Sequence, residues 1–137
     1  MPSLVAQVPA ADSASARAHF EESFCFETDC ADVHQGLMPA PDFLVLDVRG
    51  PEAFAAGHVP GAINIPHASI IASRMAQYAP GTLFVVYCAG PHCNGAARAA
   101  LRLARLGLPV KVMSGGMTGW REEHFPLAHG ASAAATA

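Results

Sequence analysis

The chain has 137 residues, enough for one domain with a buried core. Apolar residues make up 52% and charged residues 14%, which argues against disorder over most of the length. The formal net charge is -3; the seven Arg and one Lys form no basic cluster and there is no acidic tail, so neither nucleic acid nor a basic partner is expected.

The longest apolar run, residues 83–89, is far short of the roughly 20 residues that span a bilayer, so no membrane association is expected. The N-terminus has neither a basic stretch nor a sustained apolar one, and a cytoplasmic location is the default. Residues 1–12 and 129–137 read as flexible ends around a single domain over 13–128. Within it, residues 13–23 favour helix and 24–27 a short strand. Thr28 or Asp29 caps a helix to about residue 37, because its side-chain oxygen accepts an orphan N–H. Residues 38–42 form a Pro-punctuated loop. The run FLVLDV, residues 43–48, suits a strand buried on both faces. Pro51 opens a helix to residue 56. A loop over 57–61, a short strand over 62–65, a helix over 68–78 and a turn at 80–81 follow. LFVVY, residues 83–87, is a second fully buried strand. Residues 88–94 form a loop, 95–106 a helix closed by Gly107, 110–113 a strand, 114–116 a turn, and a last helix runs to about 123.

Alternating strands and helices with doubly buried strands predict an α/β domain with a mainly parallel sheet. Ligands of such sheets bind beyond the carboxyl ends of the strands, and Cys88 stands at one of those ends. The four cysteines, Cys25, Cys30, Cys88 and Cys93, read in a cytosolic chain as reduced, catalytic or metal-binding rather than as structural bridges. Cys25-x4-Cys30 and Cys88-x4-Cys93 are loosely spaced for zinc and lie on no zinc-ribbon turn, so no metal is expected. Cys25 is expected as a buried strand residue and Cys30 as a packed residue at a helix start.

The chemistry concentrates in Cys88, Ala89, Gly90, Pro91, His92, Cys93, Asn94 and Gly95. A cysteine leaves a buried strand, a Gly-containing loop follows, and a helix begins. The first N–H groups of that helix lack intrahelical partners and carry partial positive charge. With the loop N–H groups they can form an anion-binding nest, which would stabilise a Cys88 thiolate and hold an incoming anion over the sulfur. Such a site suits nucleophilic attack on an anionic sulfur or phosphorus compound. On the following helix Ala96, Ala99, Leu103 and Leu106 share one face. Arg98, Arg102 and Arg105 form a stripe that is either a solvated face or an attractor for an anionic substrate, with Arg98 nearest the loop.

The chain resembles the single-domain rhodanese-like sulfurtransferases. The resemblance rests on Leu46-Asp47-Val48-Arg49, on the segment from Glu52 to Pro66 (EAFAAGHVPGAINIP), and on Gly115-Gly116-Met117-Thr118-Gly119-Trp120, with the strand–Cys–loop–helix between them. It covers about residues 29–126. It implies a rhodanese-like α/β fold, a mainly parallel sheet flanked by helices on both faces, with Cys88 as the nucleophile. It further implies a small anionic sulfur donor such as thiosulfate, a thiol or cyanide-like acceptor that includes protein thiols, and no cofactor. Asp47 is expected to accept loop N–H bonds and Arg49 to pair with Glu52. Trp120 is expected as a core anchor and His58 as a hydrogen-bonded turn residue.

The loop departs from the common pattern of the family. Cys88 lies about two residues farther from the helix end than that pattern has it, whereas Cys93 with Arg98 reproduces a Cys-x4-Arg spacing. Cys88 directly follows the buried strand and is the preferred nucleophile. Cys93 is then a resolving thiol, a second acceptor or inert. His92 is either a loop residue or a group acting on a nearby thiolate. Two other functions stay open: a redox-sensing or protein-docking module, and a phosphatase or arsenate reductase using the enlarged loop. The last lacks the arginine six residues after its cysteine, since Asn94 and Ala99 stand at those places.

Overall fold

The computed structural model describes residues 1–131; the remainder of the tail expected to be flexible, 132–137, lies outside the described residues. The strands are β1 Glu27–Asp29, β2 Leu44–Asp47, β3 Ile63–Asn64, β4 Phe84–Tyr87 and β5 Val110–Ser114. The helices are α1 Leu4–Gln7, α2 Ser13–Phe26, α3 Cys30–Gly36, α4 Pro51–Ala56, α5 Ala72–Met75, α6 Gly95–Arg105 and α7 Gly116–Glu122, with a 3-10 turn at His67–Ser69. The strands pair in the order β1-β5-β4-β2-β3, parallel throughout. β2 and β4 lie side by side at the centre, Leu44 opposite Phe84 and Asp47 opposite Tyr87. The chain steps outward from β2 to β3 and then returns to the other side of β2 as β4. The strand order reverses there, and the crevice of such a sheet opens beyond the two strand ends at this point.

Successive residues of β4 face opposite ways, so one strand feeds two cores. Phe84, Val86 and then Cys88 join Leu46, Ile65, Met75 of α5, and Ala99 and Leu103 of α6. Val85 and Tyr87 join Val45, Val33 of α3, Phe54 of α4, and Met117 and Trp120 of α7. Helices thus cover both faces, which is why 43–48 and 83–87 read as continuous apolar runs. Trp120 is fully buried and its indole N–H donates to the Pro126 carbonyl at 2.8 Å, an anchor as expected. His58 is buried and its Nδ1–H donates to the Phe54 carbonyl at 2.8 Å, hydrogen-bonded as expected, but its backbone bridges antiparallel to Ala128 rather than forming a turn. Asp29 supplies the cap of α3, its carboxylate accepting the Asp32 N–H at 2.8 Å. His129 and Gly130 hydrogen-bond to the Ala56 and Ala55 carbonyls at the end of α4.

Four local expectations are corrected. Residues 24–26 continue α2, and the strand begins at Glu27, where pairing with Val112 of β5 becomes available. Cys25 is accordingly exposed on a helix, not buried in a strand. The helix expected over 68–78 is broken into the 3-10 turn and the single turn of α5. The break falls at the β-branched pair Ile70 and Ile71, both extended, where Ile70 points into the core. Leu106 lies beyond the end of α6 and is exposed, because Gly107 takes a left-handed φ of +77° and turns the chain away.

Candidate active site

Cys88 follows β4 without an intervening residue, and its side chain lies on the α6 side, buried. The loop then rises and turns: the Cys93 N–H donates to the Gly90 carbonyl at 3.1 Å. This turn brings Cys93 back over Cys88, their Cα atoms 6.4 Å apart and their sulfurs joined as a disulfide. That Cα separation is ordinary for a bridged pair. Cys93 is exposed and covers the buried Cys88. The Gly95 N–H, the first of α6, points at the Cys93 sulfur at 3.4 Å. A side chain at Gly95 would place its Cβ 2.8 Å from the Cys88 sulfur and 3.4 Å from that of Cys93. Glycine at this position makes room for the pair.

The beginning of the loop is pinned from the other side. The Met117 N–H donates to the Cys88 carbonyl at 3.0 Å and the Thr118 N–H to the Ala89 carbonyl at 2.9 Å. The Thr118 hydroxyl adds a second bond to the Ala89 carbonyl at 3.0 Å. The free N–H groups at the start of α7 therefore cap the carbonyls that leave β4. Gly116 has φ +56°, and a Cβ there would stand 2.5 Å from the Cys88 carbonyl oxygen. The Gly-Gly of the second signature thus lets α7 approach the Cys88 backbone. Thr118, Met117 and Gly116 were not singled out as site residues from the sequence; the signal was the paired glycine ahead of a helix.

A cleft of about 280 Å³ opens between the loop and the end of β5. Cys88, Gly90, Pro91, Cys93, Ala96 and Gly116 are among its lining residues, and no charged side chain is. Of the predicted loop, Ala89, His92, Asn94 and Gly95 do not line this cleft; Ala89, His92 and Asn94 are exposed and Gly95 is buried. Arg98 does not line it either: its Nε–H donates to the Asn94 side chain at 3.2 Å along the exposed face of α6. Arg102 and Arg105 are exposed on the same helix.

Asp47 and Arg49 sit at the end of β2, on the opposite side of the sheet from Cys88. Asp47 is fully buried and accepts from the Arg49 backbone N–H at 3.0 Å, from the Arg49 guanidinium at 2.6 Å and from the Tyr87 hydroxyl at 2.6 Å. It therefore serves the turn after β2 and the side chain before Cys88, rather than the N–H groups of the 88–94 loop. The expected Arg49–Glu52 pair is replaced by Arg49–Asp47. A fully buried carboxylate demands a cation, whereas Glu52 is exposed on the first turn of α4, where the helix N-terminus already suits it. Arg49 also donates to the Gly57 carbonyl at 2.6 Å. Burial, and then the Asp47 charge, pushes the Tyr87 phenol far up, which keeps it a hydrogen donor. Sequence reasoning does not single out Tyr87; its signal is a single hydroxyl in an otherwise apolar strand.

Cys30 lies behind Gly115 and Gly119, its thiol directed at the Ser114 and Gly116 carbonyls, both at 3.6 Å. Burial, with Asp29 and Glu123 nearby, pushes this thiol up to about 11. It packs at the helix start as expected.

A parallel five-stranded sheet in this strand order, covered by helices on both faces and with a cysteine at the point of reversal, defines an α/β domain of the rhodanese-like type. The chain belongs to the rhodanese-like domain family, whose sequence model matches residues 31–123. Over 93 residues it is 42% identical to the HTH-type transcriptional regulator Rv0324 of Mycobacterium tuberculosis, a match covering 67% of this chain and 40% of that protein. The chain thus spans less than half the length of that relative. Over 85 residues it is 31% identical to thiosulfate sulfurtransferase GlpE of Pseudoalteromonas translucida, covering 61% of this chain and 78% of the other. Its fold superposes on the crystal structure of the BH2092 protein from Bacillus halodurans with a TM-score of 0.79 at 34% identity, covering 86% and 87% of the two chains. Among the described residues no helix is long and apolar enough to cross a membrane.

Proposed function

We propose that the chain is a sulfurtransferase that carries sulfane sulfur as a persulfide on Cys88. The observation that carries this reading is the position of Cys88: it stands at the end of β4, where the strand order reverses, beneath the first turn of α6 and against an uncharged cleft. The reduced Cys88 thiolate attacks the outer sulfur of a thiosulfate-type donor, the S–S bond of the donor breaks, and sulfite leaves with its electron pair. The sulfur remains as Cys88–S–S⁻ until a thiol or cyanide-like acceptor, a protein thiol among them, attacks the terminal atom. With no guanidinium in the cleft, the adduct relies on N–H groups of the loop and the first turn of α6. The kinship with a named thiosulfate sulfurtransferase agrees with this chemistry. The reading calls for no cofactor, and a cytoplasmic setting would keep Cys88 reduced between turnovers.

The test is thiosulfate with cyanide as acceptor, following sulfite and thiocyanate for the reduced wild type, Cys88→Ser and Cys93→Ser. Loss of both products in Cys88→Ser, together with a gain of one sulfur on the Cys88 peptide of the wild type, is expected. A sulfur gain that survives Cys88→Ser and is lost in Cys93→Ser would reverse the assignment.

A second reading, a redox-sensing module, draws on the Cys88–Cys93 bridge itself. It requires oxidation and reduction of the pair with no sulfite released from any donor. Nothing in the geometry favours a phosphatase, since Arg98 is tied to Asn94 outside the cleft.

A further inference from the structure

The bridge and the proposed carrier share one sulfur, and that coincidence limits what a persulfide can do. Any sulfur carried by Cys88 is attached to the atom that Cys93 reaches within bonding distance. Cys93 arrives from the solvent side through the turn closed by its N–H on the Gly90 carbonyl at 3.1 Å. Its own sulfur accepts from the Gly95 N–H at 3.4 Å, a contact that holds Cys93 Sγ at the start of α6. Gly95 leaves the space in which both sulfurs meet.

Resting on the sulfurtransferase reading, we infer a second activity: Cys93 is a resolving thiol that expels the carried sulfur as hydrosulfide. The Cys93 thiolate attacks Cys88 Sγ, the inner atom of the persulfide. The new bond is Cys88–S–S–Cys93; the bond broken joins Cys88 Sγ to the terminal sulfur, which takes up a proton from solvent and leaves as HS⁻. The persulfide sulfur is reduced to sulfide and the two cysteines are together oxidised by two electrons. The chain then stops until a dithiol reductant reopens the bridge. Access directs that step: the exposed Cys93 sulfur is the one an incoming thiolate reaches, so the mixed disulfide forms there and Cys88 is released. With thiosulfate and a dithiol, the net reaction yields sulfite and hydrosulfide and oxidises one dithiol. Cys93 stands over the inner sulfur, which favours release over a relay of the sulfane atom onto Cys93.

The experiment is a single turnover under anaerobic conditions. The reduced chain, freed of reductant, is mixed with thiosulfate and no other thiol; sulfite, sulfide and intact mass are read together. The expected result is close to one sulfide per sulfite and a wild-type mass two hydrogens below that of the reduced chain. In Cys93→Ser and Cys93→Ala the ratio of sulfide to sulfite falls towards zero, and the extra sulfur stays on the protein. Sulfite without sulfide from the wild type, with the extra sulfur retained on Cys88 or moved to Cys93, would overturn resolution and leave the sulfurtransferase reading standing. A ratio unaffected by the Cys93 substitutions would also overturn it. No sulfite from the wild type would remove the sulfurtransferase reading, and this inference with it.

Discussion

The Tyr87 hydroxyl donates a 2.6 Å hydrogen bond to Asp47 on the neighbouring strand, and the residue that follows Tyr87 is Cys88. One face of β4 thus ends in a buried polar anchor and the other in the candidate nucleophile. Asp47 is held in turn by Arg49, whose side chain is only 10% exposed. Removing one partner of a buried pair leaves a charge with no compensation. Arg49→Ala is expected to lose about 3–5 kcal/mol of folding stability in denaturant titrations. Tyr87→Phe, which also removes the acceptor of the Val59 N–H at 3.0 Å, is expected to lose about 1–3 kcal/mol.

Gly95→Ala tests the space beneath the loop. The added Cβ would meet the Cys88 sulfur at 2.8 Å, while alanine is otherwise well suited to the first turn of a helix. The expected outcome is an unchanged circular dichroism spectrum and sulfite release from thiosulfate slower by about 10–100-fold, because the reacting atom is displaced. Retention of full activity would show that the sulfur has another place to go.

Closing a loop between residues five apart in sequence restricts the unfolded chain. The loop-entropy relation gives about 2 kcal/mol for a ring of this size. The oxidised wild type is therefore expected to unfold at higher denaturant than the reduced form by about that amount. Cys93→Ser should show no difference between oxidising and reducing buffer.

The pH dependence of stability should carry a signature of Cys30. Its thiol is raised from 9.0 to about 11 in the fold, chiefly by burial. A raised value means that the folded state holds its proton more tightly than the unfolded state. The contribution is complete below pH 9 and is lost as pH rises through about 11. Cys30→Ala should lower stability at neutral pH yet flatten the fall between these limits, as read by urea midpoints across the range.

The sequence exposes the centre of this fold more readily than its margins. Residues 43–48 and 83–87 are buried on both faces, so their apolar runs have no competing interpretation. Residues 24–26 and 68–78 differ from the expectation because short segments take their state from partners: the strand starts only at Glu27, where Val112 is available, and Ile70 turns into the core. Arg49 was assigned to Glu52 because a helix-entry carboxylate three residues on is a natural partner, and burial of Asp47 cannot be read from spacing. In the loop, the order strand, cysteine, glycine, helix points to Cys88, and the second thiol at Cys93 stands out beside it. That the two sulfurs meet depends on the turn at Gly90 and the missing side chain at Gly95, which only three dimensions bring together.

Helix α2 places none of its residues in either core, and Phe20, Phe24 and Phe26 are exposed along it. The family match begins at residue 31, after this helix has ended. The groove that α2 forms with Ala97 and Leu101 of α6 and Val112 of β5, Phe26 among its walls, gives a change in α2 a short route to the two elements that flank Cys88.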